Sequence, residues 1–160
     1  MAIVVENGTV VSGANSYVTE AELATYAADR GVTISGTASV LLIQAMDYLE
    51  SLNYIGIKYS EDQPLQWPRD EVYIDGYYIE RTTIPNELKN GQLAAALAID
   101  AGNNPLSTVD RATKREKVDV IEVEYMDNAP AEAVVRTINA AMRKLLASST
   151  GGSSFKVYRA

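Results

Sequence analysis

Apolar residues recur at helical spacing in four segments of this 160-residue chain. In the first segment, Thr19 and Glu22 have capping-box spacing and Gly31 suits the left-handed end of a helix, which predicts a helix over residues 20–30. The second segment has a cap at Ser35 or Thr37 and is predicted to be the most buried helix. Its leucine-rich stripe comprises Leu41, Leu42, Ala45, Met46, Leu49 and Leu52.

The third helix is predicted to begin at Pro85, where the missing N–H costs nothing, and to run to Gly102. Gly91 weakens this helix by about 1 kcal/mol relative to alanine, which suggests that a neighbouring backbone approaches closely there. A fourth helix is predicted from Pro130 onward. Its apolar stripe comprises Val134, Ile138, Ala141, Met142 and Leu145.

Three other segments have β-type patterns. Residues 3–11 place two β-branched runs around Asn7 and Gly8, which predicts a hairpin, and residues 72–80 predict a second hairpin around Asp75 and Gly76. Residues 118–125 alternate apolar and acidic side chains, which predicts a strand with one exposed face. The predicted fold is therefore mainly α, in the α+β class: a small four-helix domain with short β-hairpins and an extended C-terminal arm.

The chain is predicted to comprise one domain, residues 1–147, followed by a spacer and arm over residues 148–160. Within the domain, residues 54–84 form an insertion that is long for a simple connection, so we expect it to have a surface role of its own. The spacer is rich in Ser and Gly, and the residues after it are apolar and basic.

Composition narrows the candidate chemistry. The chain contains neither cysteine nor histidine, so catalysis would have to use carboxylates, Lys, Tyr or Ser. Asp62, Asp70, Glu71 and Asp75 cluster in the insertion, but without calcium-loop spacing they are interpreted as solvated surface. We expect no catalytic residue, no metal site, no cofactor and no enzymatic activity. The N-terminus has no signal-peptide pattern and no apolar run approaches a membrane span, which indicates a cytoplasmic origin.

The net charge of −7 is unevenly distributed. Residues 148–160 contain two bases and no acid, so the preceding domain carries −9. Such a domain repels phosphates, which disfavours general DNA binding by it. The basic run at residues 110–117 is diluted by acids and has no aromatic residue, so a connector or a salt-bridging face is favoured over a nucleic-acid site.

Aromatic residues point to contact surfaces. The chain has ten tyrosines and one phenylalanine, and tyrosine combines apolar area with a polar end. For Trp67, in the motif PLQWPR, two interpretations stay open. It anchors the insertion in the core, or it joins Arg69 in an interface, because Trp and Arg are common hot-spot residues.

The C-terminal tip, FKVYRA, has the alternation of a strand. Phe155, Val157 and Arg159 would project to one side, and Lys156 and Tyr158 to the other. We expect the tip to add to the sheet edge of another chain, although many chain ends are simply disordered.

Five motifs and the tip together resemble a known family. The motifs are SYVTEAELATYAADRG, AMDYLESL, PLQWPR, IPNELKNGQLAAALAI and KREKVDVIEVEY. This order resembles the head-tail connector, or neck adaptor, proteins of tailed phages and prophages, which are often labelled putative DnaT-like single-stranded DNA-binding proteins. One departure is Asp119, where a small residue would be expected before the strand.

The resemblance implies a structural protein of the virion neck that forms a ring, expected to be twelve-fold, below the portal. The arm would bind the portal protein through Phe155, Lys156, Val157, Tyr158 and Arg159. Trp67, Arg69, Tyr77 and Tyr78 would contact neighbouring subunits or the next neck or tail-completion protein. Duplex DNA would pass through the channel without specific binding, and no membrane contact is implied.

The alternative to a connector is single-stranded DNA binding. It predicts affinity that falls steeply with salt and a fluorescence change from stacking at Trp67 or nearby tyrosines. A third possibility, a carboxylate-based hydrolase, has no motif to support it.

Overall fold

The computed structural model describes residues 2–106, 116–118, 121–123 and 130–147, with side chains described for 2–106 and 135–147. In this part of the chain four helices and three two-stranded antiparallel sheets form an α+β domain. The elements in chain order are α1 (Glu20–Ala28), α2 (Ala38–Glu50), β1 (Ile57–Lys58), β2 (Arg69–Asp70), β3 (Tyr73–Ile74), β4 (Tyr77–Tyr78), α3 (Asn86–Asp100), β5 (Glu116–Val118), β6 (Ile121–Val123) and α4 (Pro130–Ala141).

The predicted start of α1 is confirmed. The Thr19 hydroxyl accepts a hydrogen bond from the backbone N–H of Glu22 at 3.1 Å, and the Glu22 carboxylate accepts one from the backbone N–H of Thr19 at 2.6 Å. The helix ends at Ala28, two residues before the predicted end, and Gly31 follows with φ +65°. The local sequence signals therefore predicted the start of the helix more accurately than its end.

The core lies where α2, α3 and α4 meet. Helix α2 packs against α3, and α3 packs in turn against α4. The predicted stripe of α2 is buried from Leu41 to Leu49, whereas Leu52 lies beyond the helix and is half-buried. Thr37 is the residue that caps α2, although its side chain makes no capping hydrogen bond.

Helix α3 begins at Asn86, so Pro85 lies one position earlier than predicted, as the N-cap. A Cβ atom added at Gly91 would come within 2.7 Å of Cγ of Met142 and closer still to its sulfur. The predicted close approach is therefore real, but the approaching group is a side chain and not a backbone. The glycine leaves space for this methionine between α3 and the end of α4.

The predicted hairpin at residues 3–11 is wrong. Val5 instead forms a parallel bridge with Ser16, and the buried carboxylate of Glu6 accepts hydrogen bonds from the backbone N–H groups of Gly8, Val10 and Val11. These are donors that a hairpin would direct across its strands. The carboxylate thus organises a compact loop in place of two strands.

The single strand predicted over residues 118–125 is also wrong in its extent. The structure has two short strands, β5 and β6, that pair antiparallel with Val118 opposite Ile121. Residues 119 and 120, which connect them and include the unexpected Asp119, lie outside the described residues. The alternation of apolar and acidic residues breaks once, at the adjacent Val120 and Ile121, so the sequence pattern does not continue unchanged from β5 into β6.

Helix α4 begins at Pro130 as predicted. Of its predicted stripe, Ile138, Met142 and Leu145 are buried and Ala141 is exposed, while the Val134 side chain lies outside the described residues. After the helix the chain turns back to the start of the insertion: Leu146 forms an antiparallel bridge with Tyr54. No helix among the described residues is both long and apolar enough to span a membrane.

A candidate binding surface on the tyrosine hairpin

Strands β3 and β4 form what we call the tyrosine hairpin, residues 73–78. Tyr73 pairs with Tyr78 and Ile74 with Tyr77, and the two turn residues Asp75 and Gly76 have φ of 53° and 87°. Both turn residues are in the left-handed region, as a tight two-residue hairpin turn requires. The predicted Asp-Gly hairpin is therefore confirmed.

The side chains of this hairpin are unusually exposed for aromatic residues. Tyr77 is 77% exposed, Tyr73 63% and Tyr78 45%. The Tyr73 and Tyr78 rings contact each other with centroids 5.5 Å apart and planes tilted by 57°. The hairpin thus presents aromatic faces and edges to solvent, which makes it the leading candidate for a contact surface in the described part of the chain.

A second ribbon, β1 paired with β2, extends the surface. Ile57 in β1 and Tyr59 just after it are exposed large side chains, and the Arg81 guanidinium lies 5.0 Å from the centroid of the Tyr59 ring. Tyr78 connects the two ribbons, because its hydroxyl donates a 2.6 Å hydrogen bond to the Asp70 carboxylate.

This hydrogen bond moves the pKa values of the two groups further apart. It raises the pKa of Tyr78 to about 12, and the same bond, with one from the backbone N–H of Glu71, lowers the pKa of Asp70. Both shifts reinforce the ordinary protonation states at neutral pH, in which Tyr78 is a neutral phenol and Asp70 is a carboxylate. The hydrogen bond fixes the Tyr78 hydroxyl and leaves its ring available for contact.

The insertion that carries the tyrosine hairpin is anchored to the core through Trp67. The Trp67 side chain is completely buried and meets the Tyr54 ring edge-on at 6.2 Å between centroids. Its backbone N–H donates to the hydroxyl of Tyr17 at 3.1 Å, and that hydroxyl donates to the Glu50 carboxylate at 3.0 Å. The backbone N–H of Gln66 donates to the same carboxylate oxygen. Trp67 therefore anchors the insertion, as the first of the two sequence interpretations proposed.

Arg69 has a similar internal role. Its guanidinium donates to the backbone carbonyls of Ile55 at 2.8 Å, Gly56 at 2.7 Å and Gln66 at 3.2 Å. Burial lowers the pKa of this arginine, but the carbonyl oxygens stabilise its charge. The structure thus divides the four residues predicted to contact other subunits: Trp67 and Arg69 lie inside, Tyr77 and Tyr78 outside. Whether the latter two meet another subunit stays a prediction.

The charge around the tyrosine hairpin is mainly negative. The insertion, residues 54–84, contains six acids and three bases, and Arg69 is one of those bases. The other two, Lys58 and Arg81, are exposed. Lys144, just after α4, forms an ion pair with Asp75 at the hairpin turn. The surface is thus aromatic and mainly acidic, with a few scattered cations.

Other candidate sites are less developed. Among the side chains that the structure describes, no three carboxylates gather as a metal site would require, and the insertion acids are no exception. An open groove of about 410 Å³ lies between α1 and α3, with Tyr26 and Asp29 on one side and Lys89 and Leu93 on the other. The portal-binding residues predicted from sequence, Phe155, Lys156, Val157, Tyr158 and Arg159, lie outside the described residues.

Sequence reasoning missed Tyr73, Tyr59 and Ile57. The density of tyrosines on both sides of the Asp-Gly turn was an available signal for Tyr73, since adjacent cross-strand aromatics share one face of a hairpin. No local signal identified Ile57 or Tyr59, because their exposure follows from where β1 lies at the edge of the fold.

Residues 1–160, the whole chain, match the family model described as "Putative DnaT-like ssDNA binding protein". No curated protein and no solved structure matches.

Proposed function

We propose a function from the premise that this chain belongs to the family described as putative DnaT-like ssDNA binding proteins. In this proposal the chain is a non-catalytic binding protein whose ligand surface is the tyrosine hairpin. Single-stranded DNA is the first candidate ligand. The observation that carries this proposal is the pair of exposed, adjacent rings of Tyr73 and Tyr78, together with the still more exposed ring of Tyr77 on the same hairpin.

Exposed tyrosines suit unpaired bases for a simple physical reason. Every base has a π-face, and stacking on an aromatic side chain contributes about 1–3 kcal/mol per base without requiring a particular sequence. The hydrogen bond from Tyr78 to Asp70 and the anchor at Trp67 hold the hairpin in place before binding. A pre-organised platform reduces the entropy lost when a flexible strand binds.

The charges make this a stacking site more than a phosphate site. Lys58, Arg81 and Lys144 are the exposed cations associated with the hairpin and its neighbouring ribbon. Each phosphate neutralised on a single strand changes log K by about −0.7 per unit of log salt, so three cations give a slope of at most about −2. For binding at this surface we therefore expect a shallower salt dependence than the steep one expected from sequence alone.

Fluorescence anisotropy with a labelled oligo-dT strand tests the proposal. We expect Tyr77→Ala in the full chain to weaken binding by about 5- to 100-fold, which corresponds to the stacking energy of one base. The matched control is Tyr26→Ala, on α1, which packs against α2 and α3 and belongs to no part of the hairpin. The change in intrinsic fluorescence should come from tyrosine, because Trp67 is buried. Absence of binding at low salt would exclude this function.

A second candidate, the structural connector of a phage neck, is favoured by a different observation. Acids outnumber bases two to one in the insertion, so the electrostatic potential around the exposed tyrosines is negative. Such a potential repels phosphates but does not oppose binding of a polypeptide. In this proposal the hairpin contacts neighbouring subunits of a ring, and the tip at residues 155–159 binds the portal.

Purified portal rings test the connector. The full chain should co-sediment with them in a fixed ratio, and deletion of residues 153–160 should abolish this association with little change in the thermal transition. Tyr77→Ala should reduce the number of subunits bound together while leaving the monomer folded. If the truncated protein, which lacks residues 153–160, still associates with portals, the arm has no role in this candidate function.

A further inference from the structure

We propose that residues 155–159 of the C-terminal tip dock on the tyrosine hairpin of the same chain. The first argument is where the chain leaves the described fold. The backbone N–H of Ala147 donates to the carbonyl of Asn53 at 2.9 Å, and that of Ile55 donates to the carbonyl of Leu145 at 3.0 Å. The last described residue therefore lies beside the first residues of the insertion.

A second contact brings the same end of the chain to the hairpin itself. The ammonium of Lys144 pairs with the carboxylate of Asp75, which is the first residue of the hairpin turn. Ala147 follows Lys144 by only three positions. The spacer thus begins close to the exposed tyrosines and not on the opposite side of the domain.

The spacer is long enough to let the tip return. Residues 148–154 are seven Ser, Thr and Gly residues. A flexible chain of that length has a root-mean-square span of about 15 Å, and fully extended it reaches about 24 Å. A tether of this kind gives an effective concentration in the millimolar range, so even a weak contact would be well populated.

The charge and the aromatic residues of the tip complement the hairpin. The tip has two bases and no acid, whereas the insertion has twice as many acids as bases. On each side of the tip a cation accompanies an aromatic side chain, Arg159 with Phe155 and Lys156 with Tyr158, and the cation can lie over the negative face of an exposed tyrosine ring while the aromatic side chain packs beside it. Each sheet of the described fold has only two strands, so the hairpin also offers an edge to an added strand.

Docking of the tip would regulate either proposed function, because it covers the surface that a ligand would use. The tip would compete with single-stranded DNA for the tyrosines, and in a connector it would stay sheltered until a partner displaced it. When the tip occupies the site, the apparent affinity for an external ligand equals the intrinsic affinity multiplied by the fraction of molecules in which the site is free.

The experiment measures binding of a fluorescent peptide with the sequence of residues 148–160. It compares the native full chain with a full-length tip variant carrying Phe155→Ser, Lys156→Glu, Tyr158→Ser and Arg159→Glu. We expect the peptide to bind the tip variant at least about 10-fold more tightly than the native chain, since the native tip already occupies the hairpin. Adding Tyr73→Ser and Tyr77→Ser to the tip variant should abolish peptide binding, whereas adding Leu106→Ser, at an exposed position elsewhere, should not.

Three outcomes would overturn the proposal: equal affinity of the peptide for the two proteins, no measurable binding to either, or binding that persists without the two tyrosines. A concentration-dependent dimer of the native chain that the tip variant fails to form would show docking on a second copy, which also contradicts docking within one chain. The assay contains no DNA and no portal. Its failure is therefore distinguishable from failure of the proposed functions.

Discussion

The hydroxyl of Tyr17 donates a 3.0 Å hydrogen bond to the Glu50 carboxylate, and so joins the N-terminal segment to the end of α2. The same hydroxyl accepts the backbone N–H of Trp67, so one phenol connects three distant parts of the chain. Burial raises the pKa of Tyr17, which keeps this phenol neutral and able to donate. The attachment of the insertion to the core thus depends on a partly buried carboxylate.

Glu50→Gln should therefore change how stability depends on pH. Burial raises the pKa of Glu50, against the opposing hydrogen bonds from Gln66 and Tyr17. The carboxyl group of an unperturbed glutamate has a pKa of about 4.3. When folding raises this pKa, the folded state loses stability as the pH rises from about 4.3 to the folded pKa, and the loss is complete above the folded pKa. Both hydrogen bonds go to one carboxylate oxygen, so glutamine can retain them. The stability of the variant relative to the native chain should increase across this pH window.

Urea unfolding of both proteins between pH 4 and pH 7 measures this difference. Asp47→Asn, at an exposed acid of the same helix, is the matched control. A stability difference between Glu50→Gln and the native chain that stays constant, or that decreases with pH, would contradict the assigned direction of the pKa shift.

Trp67→Ala and Tyr77→Ala should differ sharply in their effect on folding. The Trp67 side chain is fully buried, so its removal should lower the free energy of unfolding by about 3–5 kcal/mol. Tyr77 is largely exposed, and its removal should change stability by no more than about 0.5 kcal/mol. Chemical denaturation of the two variants measures this contrast. Comparable losses would mean that the tyrosine hairpin packs against more of the protein than the structure shows.

Gly91→Ala should destabilise the protein although it improves helix propensity. Alanine is favoured over glycine in a helix by about 1 kcal/mol, but its methyl group would collide with Met142. Overpacking of this kind costs about 1–3 kcal/mol, so the clash should outweigh the gain. In a Met142→Ala background the same substitution should be neutral or stabilising, because the space is then free. A double-mutant cycle by thermal unfolding measures the coupling, and strict additivity would contradict it.

Glu6→Gln should loosen the N-terminal loop. One carboxylate oxygen accepts the N–H groups of Gly8 and Val10, and the other accepts that of Val11 at 2.8 Å. Glutamine has a single acceptor oxygen, so the NH2 group of its side chain would face a backbone N–H in a buried site. We expect a loss of about 2 kcal/mol in the free energy of unfolding. Glu20→Gln, at an exposed helix start, is the control and should cost less than about 1 kcal/mol. Faster hydrogen exchange at Gly8, Val10 and Val11 would localise the effect.

Local signals account for much of what could be predicted from sequence. The capping box at Thr19, the Asp75–Gly76 turn and the apolar stripe of α2 each specify a structure through neighbours a few residues away, and each is confirmed. The hairpin predicted around Asn7 and Gly8 had equally good local signals. It is wrong because Glu6, which becomes buried only in the folded protein, takes the backbone donors on which a hairpin depends.

The sequence by itself determined the mainly helical α+β class, the tyrosine-rich turn and the family to which the chain belongs, because these depend on periodicity, turn chemistry and motif order. Only the tertiary structure decided which aromatic residues can meet a partner. Trp67 and Tyr77 lie ten positions apart in one insertion, yet one is enclosed by the core and the other faces solvent. Exposure is a property of the packed surroundings, and contacts with residues as distant in the chain as Tyr17 and Glu50 set those surroundings.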